Sequence, residues 1–282
     1  MPSAWLQPAT LDEALGLRRE HGDEALVLAG GTFVGILLST GFLPPPPAFL
    51  ALRDVPDLQG VRVDGDELVL GAMATHRAVE TDARVLEGWP ALAACLRLVA
   101  NERVRNQATI GGVLADADYA SDPPALLSAL AAEAVLAGPA GRRAVPLRDL
   151  IVDHYTTVIE PDELLVEVRV PPQPAVAAYR KFRSRHAEDR PCVGVALAAG
   201  RDGAGRVQGL RLVVGAVSGR PQELPEACAL AEGQVVDEAL AAEIARRYAA
   251  GLDPIDDARG SSAYRRRIVE VEVRRALAGV AA

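Results

Sequence analysis

Two glycine pairs are the residues of this 282-residue chain best suited to hold a ligand: Gly30-Gly31 in LVLAGGTF and Gly111-Gly112 in ATIGGVLADAD. Each follows a short apolar stretch with strand character, Ala25 to Ala29 in one case and Ala108 to Ile110 in the other. Each then opens into a tight turn followed by small residues. Glycine there lets the backbone take positive φ and carries no Cβ to block a ligand. Consecutive amide N–H groups in such turns can converge on phosphate oxygens. One pair alone is an ordinary turn as readily as a binding loop. Two pairs, each between a strand and a polar cluster, describe a two-loop cradle for a diphosphate.

Other chemistries find little support. Cys95, Cys192 and Cys228 are far apart and form no CxxC, so neither a zinc knuckle nor an iron–sulfur cluster is built by this chain alone; three reduced, mostly buried thiols are expected. His21, His76, His154 and His186 are equally dispersed and give no metal site. GxGxxG, GxxxxGK[ST] and GxSxG are all missing, which sets aside the usual dinucleotide, NTPase and nucleophile-elbow readings. A cofactor cradle without a protein catalyst fits an enzyme whose chemistry belongs to the bound cofactor. The net charge of −8, the absence of a Lys/Arg-rich block and an aromatic content of 4% argue against nucleic acid as partner. No apolar run reaches the ~18 residues of a membrane span, and the first residues lack the basic-then-apolar form of a secretory signal. A soluble, cytoplasmic protein is expected.

The elements that must position the two loops can be read from capping and periodicity. Thr10-x-x-Glu13 is a capping box that starts a helix running to His21-Gly22. A strand at 25–29 delivers the first glycine pair, and Val34 to Leu38 reads as a buried helical turn. Strands follow near 50–52, 61–63 and 67–70, the last two joined at Asp64-Gly65-Asp66. Pro90 starts a helix with Leu92, Leu96 and Val99 on one face, and Asp122-Pro123-Pro124 opens another, the aspartate as N-cap. Strands at 134–136 and 164–170 precede Pro171 to Pro174, the best domain boundary. Beyond it, 179–183, 193–199 and 207–217 read as antiparallel strands, followed by helices near 222–232, 237–250 and 262–278. Strands followed by helices, without βαβ alternation, indicate an α+β fold.

Several segments together resemble one family. They are AGGT at Ala29 to Thr32, GAMATH at Gly71 to His76, RNQATIGGVLADADYASDPPALL at Arg105 to Leu127, EPDELLVEVRVP at Glu160 to Pro171, YRKFRSR at Tyr179 to Arg185 and RGSSAYRRRIVEVEVRRAL at Arg259 to Leu277. In this order and spacing, from about residue 4 to 278, they look like the FAD-binding medium subunit of molybdenum hydroxylases. The resemblance implies a two-subdomain, PCMH-type FAD-binding α/β region over 1–171, with subdomains of about 1–55 and 56–171. A C-terminal α+β domain over 176–282 would follow, with antiparallel sheet and helices.

It also implies a non-covalently bound FAD, with its diphosphate on the two glycine loops: Ala29, Gly30, Gly31, Thr32, Phe33 and Val34 in the first, Thr109, Gly111 and Gly112 in the second. Asp122 matches a carboxylate that accepts from a cofactor hydroxyl on the ribityl or ribose portion. Lys181 and Arg183 match a basic strand near the flavin N1–C2=O edge, where a cation stabilises an anionic reduced ring. Three residues depart from the family pattern. Phe33 stands where Ser or Asp is usual, Asp116 replaces Asn or His, and Tyr119 sits where proline is common. A carboxylate at 116 would repel a diphosphate unless protonated or turned away.

The function implied is an electron-transfer flavoprotein subunit, inactive alone, passing electrons from 2Fe–2S clusters through FAD to an external acceptor. Its partners would be a 2Fe–2S small subunit and a molybdopterin large subunit, in a dimer of heterotrimers. A stand-alone flavin oxidoreductase is the alternative; it would need its own base or a covalent-flavin residue, for which His76 is the nearest candidate. A scaffold that has lost FAD is a third reading.

Overall fold

Three larger sheets and a two-stranded one, Ile151–Asp153 with Thr156–Thr157, organise the chain, whose computed structural model describes residues 3–281. The first is parallel and has the order Ala4–Leu6, Ala48–Ala51, Ala25–Leu28. The capping box expected at Thr10 forms: the Thr10 hydroxyl accepts from the Glu13 amide at 3.2 Å, and the Glu13 carboxylate accepts from the Ala9 amide at 2.7 Å. The helix it starts, Leu11–His21, packs Leu11 and Ala14 against this sheet and stops at Gly22, whose φ is +50°.

The second sheet is antiparallel, in the order Val61–Asp64, Glu67–Gly71, Leu164–Val170, Glu133–Gly138, Gly141–Pro146. Its central strands are buried on both faces. Leu68, Leu70, Ala134, Leu136, Val168 and Val170 enter one core, while Val135, Ala137, Leu164 and Val166 join the first sheet in another. Alternate side chains of a strand point to opposite faces, so runs apolar at every position are what a doubly covered sheet requires. The third sheet, Val176–Phe182, Val193–Arg201, Val207–Gly215, Gln222–Glu223, is antiparallel too. Val193, Val195 and Leu197 face helices Glu238–Gly251 and Ser262–Ala281, and Ala196 and Ala198 face the other way.

Between the second and third sheets lies helix Pro123–Ala129, buried at every residue. Its start is therefore fixed by packing on both sides. The fold is α+β, as expected. Four local expectations are corrected. No strand precedes the second glycine pair: Thr109 makes an isolated bridge to Thr75, and Gly111-Gly112 fall in the first turn of helix Ile110–Asp116. The reason is a cap, since the Thr109 hydroxyl accepts from the Gly112 amide at 3.0 Å. Helix Val34–Ser39 exists but has no buried residue. Asp122 precedes its helix without capping it, its backbone already being helical (φ −78°, ψ −48°). The stretch 222–232 holds a two-residue strand, helix Pro225–Cys228 and a 3₁₀ turn at Ala229–Ala231 in place of one helix.

Candidate functional site

The loop from Ala29 to Val34 leaves the end of the first sheet and turns at Gly31, which takes φ of +68°. That conformation suits glycine and strains other residues. Gly30 serves a different need: a Cβ there would strike the Gln107 carbonyl, lying 2.8 Å from its carbon and 3.1 Å from the Ala108 Cα. The two loops thus touch backbone to backbone, and Gly30 is where they meet. Among the described residues the amides of Gly30, Gly31, Thr32, Phe33 and Val34 find no backbone acceptor. A consecutive row of unpaired amides is a nest for acceptor oxygens.

The second loop offers no such row. Ile110 and Gly111 donate to Ala74 and Ala72 carbonyls at 3.0 and 2.8 Å, Gly112 to the Thr109 hydroxyl and Val113 to the Thr109 carbonyl at 3.1 Å. Gly111 is glycine because a Cβ would sit 2.6 Å from that of Ala72, and Gly112 because one would sit 2.7 Å from the capping hydroxyl. Neither has positive φ. The expectation that both pairs present converging amides is corrected: the second supplies a close-packed wall of small residues, with Thr109 at its edge.

Between the loops opens a cavity of about 720 Å³, within the range of small-molecule sites. Its wall includes Ala29, Gly30, Gly31, Thr32, Phe33 and Val34 from one side and Thr109, Gly111 and Gly112 from the other. Asp116, Asp122 and Lys181 complete the expected set on the same wall. Arg183 is not part of it; its guanidinium donates to the Ala187 carbonyl within its own loop.

Asp122 and Lys181 form a buried pair at 2.8 Å, their side chains 4% and 1% exposed. Lys181 also donates to the Leu98 carbonyl at 2.8 Å, and the Tyr179 hydroxyl donates to the other Asp122 oxygen at 2.7 Å. Tyr179 and Lys181 reach the same carboxylate because they are two apart on strand Val176–Phe182. Arg180 between them points to the opposite face and pairs with Glu272 at 2.9 Å. Gly194 on the adjacent strand makes room, since a Cβ there would lie 3.0 Å from the Tyr179 ring carbon that bears the hydroxyl. Burial pushes the Asp122 carboxyl up, against the pull of the Lys181 ammonium. Lys181 is therefore not on a solvated basic face, and Asp122 spends its oxygens on the third sheet.

The three residues that depart from the family pattern lie near one another. Phe33 stacks on Tyr155 with centroids 6.0 Å apart, and the Arg190 guanidinium lies 4.8 Å over the Phe33 ring. Arg190 pairs with buried Asp118. Tyr119 donates to Asp257 at 2.5 Å and accepts from Arg259 at 2.8 Å, while Arg265, fully buried, holds the other Asp257 oxygen at 2.7 Å. Burial pushes Asp257 up, but the Tyr119 hydroxyl and these donors overcome it and hold the carboxyl well below its usual range. Asp116 has no hydrogen-bond or ion-pair partner among the described residues, and burial raises its carboxyl to about 6 against the pull of Arg190.

His76 also borders the cavity, yet it is 1% exposed, its ring nitrogens shielded from water beside the Thr109 backbone. Burial lowers it to about 4, so it is a neutral imidazole. It is placed as packing behind Thr109, not as an attachment point. Sequence reasoning missed Tyr179, Tyr155 and Arg190 as wall or support residues. The two-residue step from Lys181 gave a signal for Tyr179; Tyr155 and Arg190 sit on loops and gave none.

Residues 1–173 match the family described as the FAD binding domain in molybdopterin dehydrogenase, and residues 177–280 the CO dehydrogenase flavoprotein C-terminal domain. The chain is 32% identical to the alpha subunit of the 6-hydroxypseudooxynicotine dehydrogenase complex of Paenarthrobacter nicotinovorans, covering 95% of this chain and 91% of that one. It is 32% identical to the carbon monoxide dehydrogenase medium chain of Afipia carboxidovorans, over 96% and 94% of the two. Among solved structures, carbon monoxide dehydrogenase from Hydrogenophaga pseudoflava superposes with a TM-score of 0.95 at 31% identity, covering 99% of this chain and 97% of that one. Quinoline 2-oxidoreductase from Pseudomonas putida gives 0.93 at 32%, covering 100% and 97%.

Proposed function

The chain belongs to the family of FAD-binding medium subunits of molybdenum hydroxylases, and we propose that it works as the electron-transfer flavoprotein of such a complex, carrying electrons from a 2Fe–2S partner to an external acceptor. The observation that supports it best is the row of unpaired amides at Gly30 to Val34 on the cavity wall. A diphosphate offers many acceptor oxygens and needs donors that take little room, and backbone amides meet both conditions. FAD, when bound, would supply the redox chemistry, which the side chains of this chain do not.

The residues of the chain then bind, orient and exclude water. The first loop holds the diphosphate, and Thr109, whose oxygen is engaged by the Gly112 amide, keeps its O–H for a cofactor oxygen. Asp122 and Lys181, being in contact, serve one region of the cofactor. On FAD the ribityl hydroxyls adjoin the N1–C2=O edge, so the ribityl reading of Asp122 is favoured over the ribose one. Lys181, desolvated and fixed by Asp122 and Leu98, holds positive charge at that edge, where charge develops on reduction. The reading divides the chain into 1–171, with subdomains near 1–55 and 56–171, and 176–282, a division supported by each of the three larger sheets lying within one of these spans.

By the same reading the partners are a molybdopterin large subunit and a 2Fe–2S small subunit, in a dimer of heterotrimers located in the cytoplasm. Among the described residues no helix is long and apolar enough to cross a membrane, and no cluster of His, Cys, Asp and Glu is placed to hold a metal. Reduction kinetics test the reading. FAD on the isolated chain should not be reduced by an aldehyde, an aromatic heterocycle or carbon monoxide, and should be reduced by the complex's own substrate once the other subunits are added. Turnover by the isolated chain would overturn it.

A further inference from the structure

Asp116 is a carboxylate of the cavity wall with no hydrogen-bond or ion-pair partner among the described residues, and an anionic ligand there would meet its charge. It closes helix Ile110–Asp116, half-buried, lines the cavity and is bonded to nothing among the described residues through its side chain. The cation that pulls on it is Arg190, which is committed elsewhere: it pairs with Asp118 and lies over Phe33. Tyr155, which stacks on Phe33, is within electrostatic reach of Asp116. Asp116 and the amide row of Gly30 to Val34 line the same cavity, so a ligand held on that row shares its space with the Asp116 side chain.

The other charged or titratable groups around it do not relieve the conflict. Asp118 and Tyr119 follow it in the chain; Tyr119 is bonded to Asp257 and Arg259, and Arg259 is spent on those two. His154 packs on Tyr119 and faces Asp153 at 3.2 Å. Glu188, on the loop that carries Arg190, is bonded to Asn101 at 3.0 Å and adds another negative charge. An ionised Asp116 would therefore meet a bound diphosphate with no cation of its own between them. A protonated one would meet it as a donor.

We propose that Asp116 engages FAD as a neutral carboxylic acid, donating its O–H to a diphosphate oxygen, so that FAD binding draws a proton from solvent. The inference rests on the FAD reading of the cavity. It makes Asp116 a cofactor-contacting residue that differs from an asparagine only in needing that proton. The ease with which it is held comes from burial, which already raises the free carboxyl to about 6. Nearby negative charge raises it further on binding.

The test is the FAD dissociation constant of the full chain, stripped of flavin, from pH 5.5 to 8.5, with oxidised FAD as the probe. Wild-type affinity should be level below about pH 6 and weaken by up to about tenfold per pH unit above it, as linkage requires. Asp116→Asn should match wild type at pH 6 and change less than about twofold across the range. Asp116→Ala should be weaker than both at pH 6. Calorimetry in buffers of different ionisation enthalpy should show uptake approaching one proton per FAD near pH 7.5 in wild type and none in Asp116→Asn. A level wild-type profile, no proton uptake, or Asp116→Ala binding as well as wild type at pH 6 would overturn the inference while leaving the FAD site intact. Failure of wild type to bind FAD at any pH would overturn the FAD reading, and this inference with it.

Discussion

Lys181 and Asp122 show how much of a site can hang on a single pair. Both are removed from water and each is the other's counter-charge, so deleting one leaves the other buried and unpaired. Removing one partner of a buried pair costs about 3–5 kcal/mol. Lys181→Met should therefore lower the unfolding free energy by that amount in urea titration and weaken FAD retention. Lys181→Met combined with Asp122→Leu should recover part of the stability but none of the retention. Equal FAD affinity in the double variant would show that the pair is structural only. His76 gives a prediction of the opposite kind. Its folded value of about 4 lies below the unfolded 6.5, so the unfolded state takes up a proton first as pH falls. Stability is thus lost between about pH 6.5 and 4, by about 3 kcal/mol in all. His76→Gln should remove that loss, so that the variant gains on wild type steadily from pH 7 to pH 4.5. A constant difference between the two would mean that His76 titrates normally.

At the level of elements, the sequence revealed where the loops are but not what each does. Gly30-Gly31 and Gly111-Gly112 look alike in the chain, yet the first bends a free loop and the second is packed into a helix start. What separates them is long-range: the Ala72 and Ala74 carbonyls that consume the second loop's amides come from a segment more than thirty residues earlier. Capping and strand signals are local and were legible, as at Thr10 and in the all-apolar strand Leu164–Val170. Asp122 misled because Asp before Pro-Pro satisfies the capping pattern; its carboxylate is instead claimed by Tyr179 and Lys181, far along the chain. The two glycines of the first pair should separate by experiment. Gly31→Ala forces positive φ on a residue with a Cβ and should cost about 1–2 kcal/mol. Gly30→Ala has no strained φ but drives its methyl into the Gln107 carbonyl, so it should part the loops and weaken FAD binding more than Gly31→Ala. Unchanged FAD affinity in Gly30→Ala would show that the loops need not touch.

Across the whole molecule, several contacts join the domains, among them Lys181 to Leu98, Glu188 to Asn101 and Arg211 to Ala129, and one short segment gathers three more. Asp118, Tyr119 and Asp122 all follow the second glycine loop, and all are bonded to residues beyond 175: Arg190, Asp257 with Arg259, and Tyr179 with Lys181. The C-terminal domain thus holds the cavity wall in place while adding Lys181 and Arg190 to it. Asp257→Asn weakens one end of this clamp without touching the cavity. Hydrogen exchange should rise across residues 117–122, and the chain should lose about 1–3 kcal/mol of stability, as expected for a charged hydrogen-bond hub. Unaltered exchange in that segment would show that packing of helix Pro123–Ala129 alone holds it.

The central claim, that the cavity between the glycine loops holds a non-covalent FAD, is tested most directly by the flavin content of the purified full-length chain. After equilibration with FAD and gel filtration, the absorbance spectrum should show one FAD per chain, and denaturation should release all of it intact. Gly31→Ala and Lys181→Met should each carry less. A wild-type chain that elutes without flavin, or keeps it after denaturation, would contradict the claim.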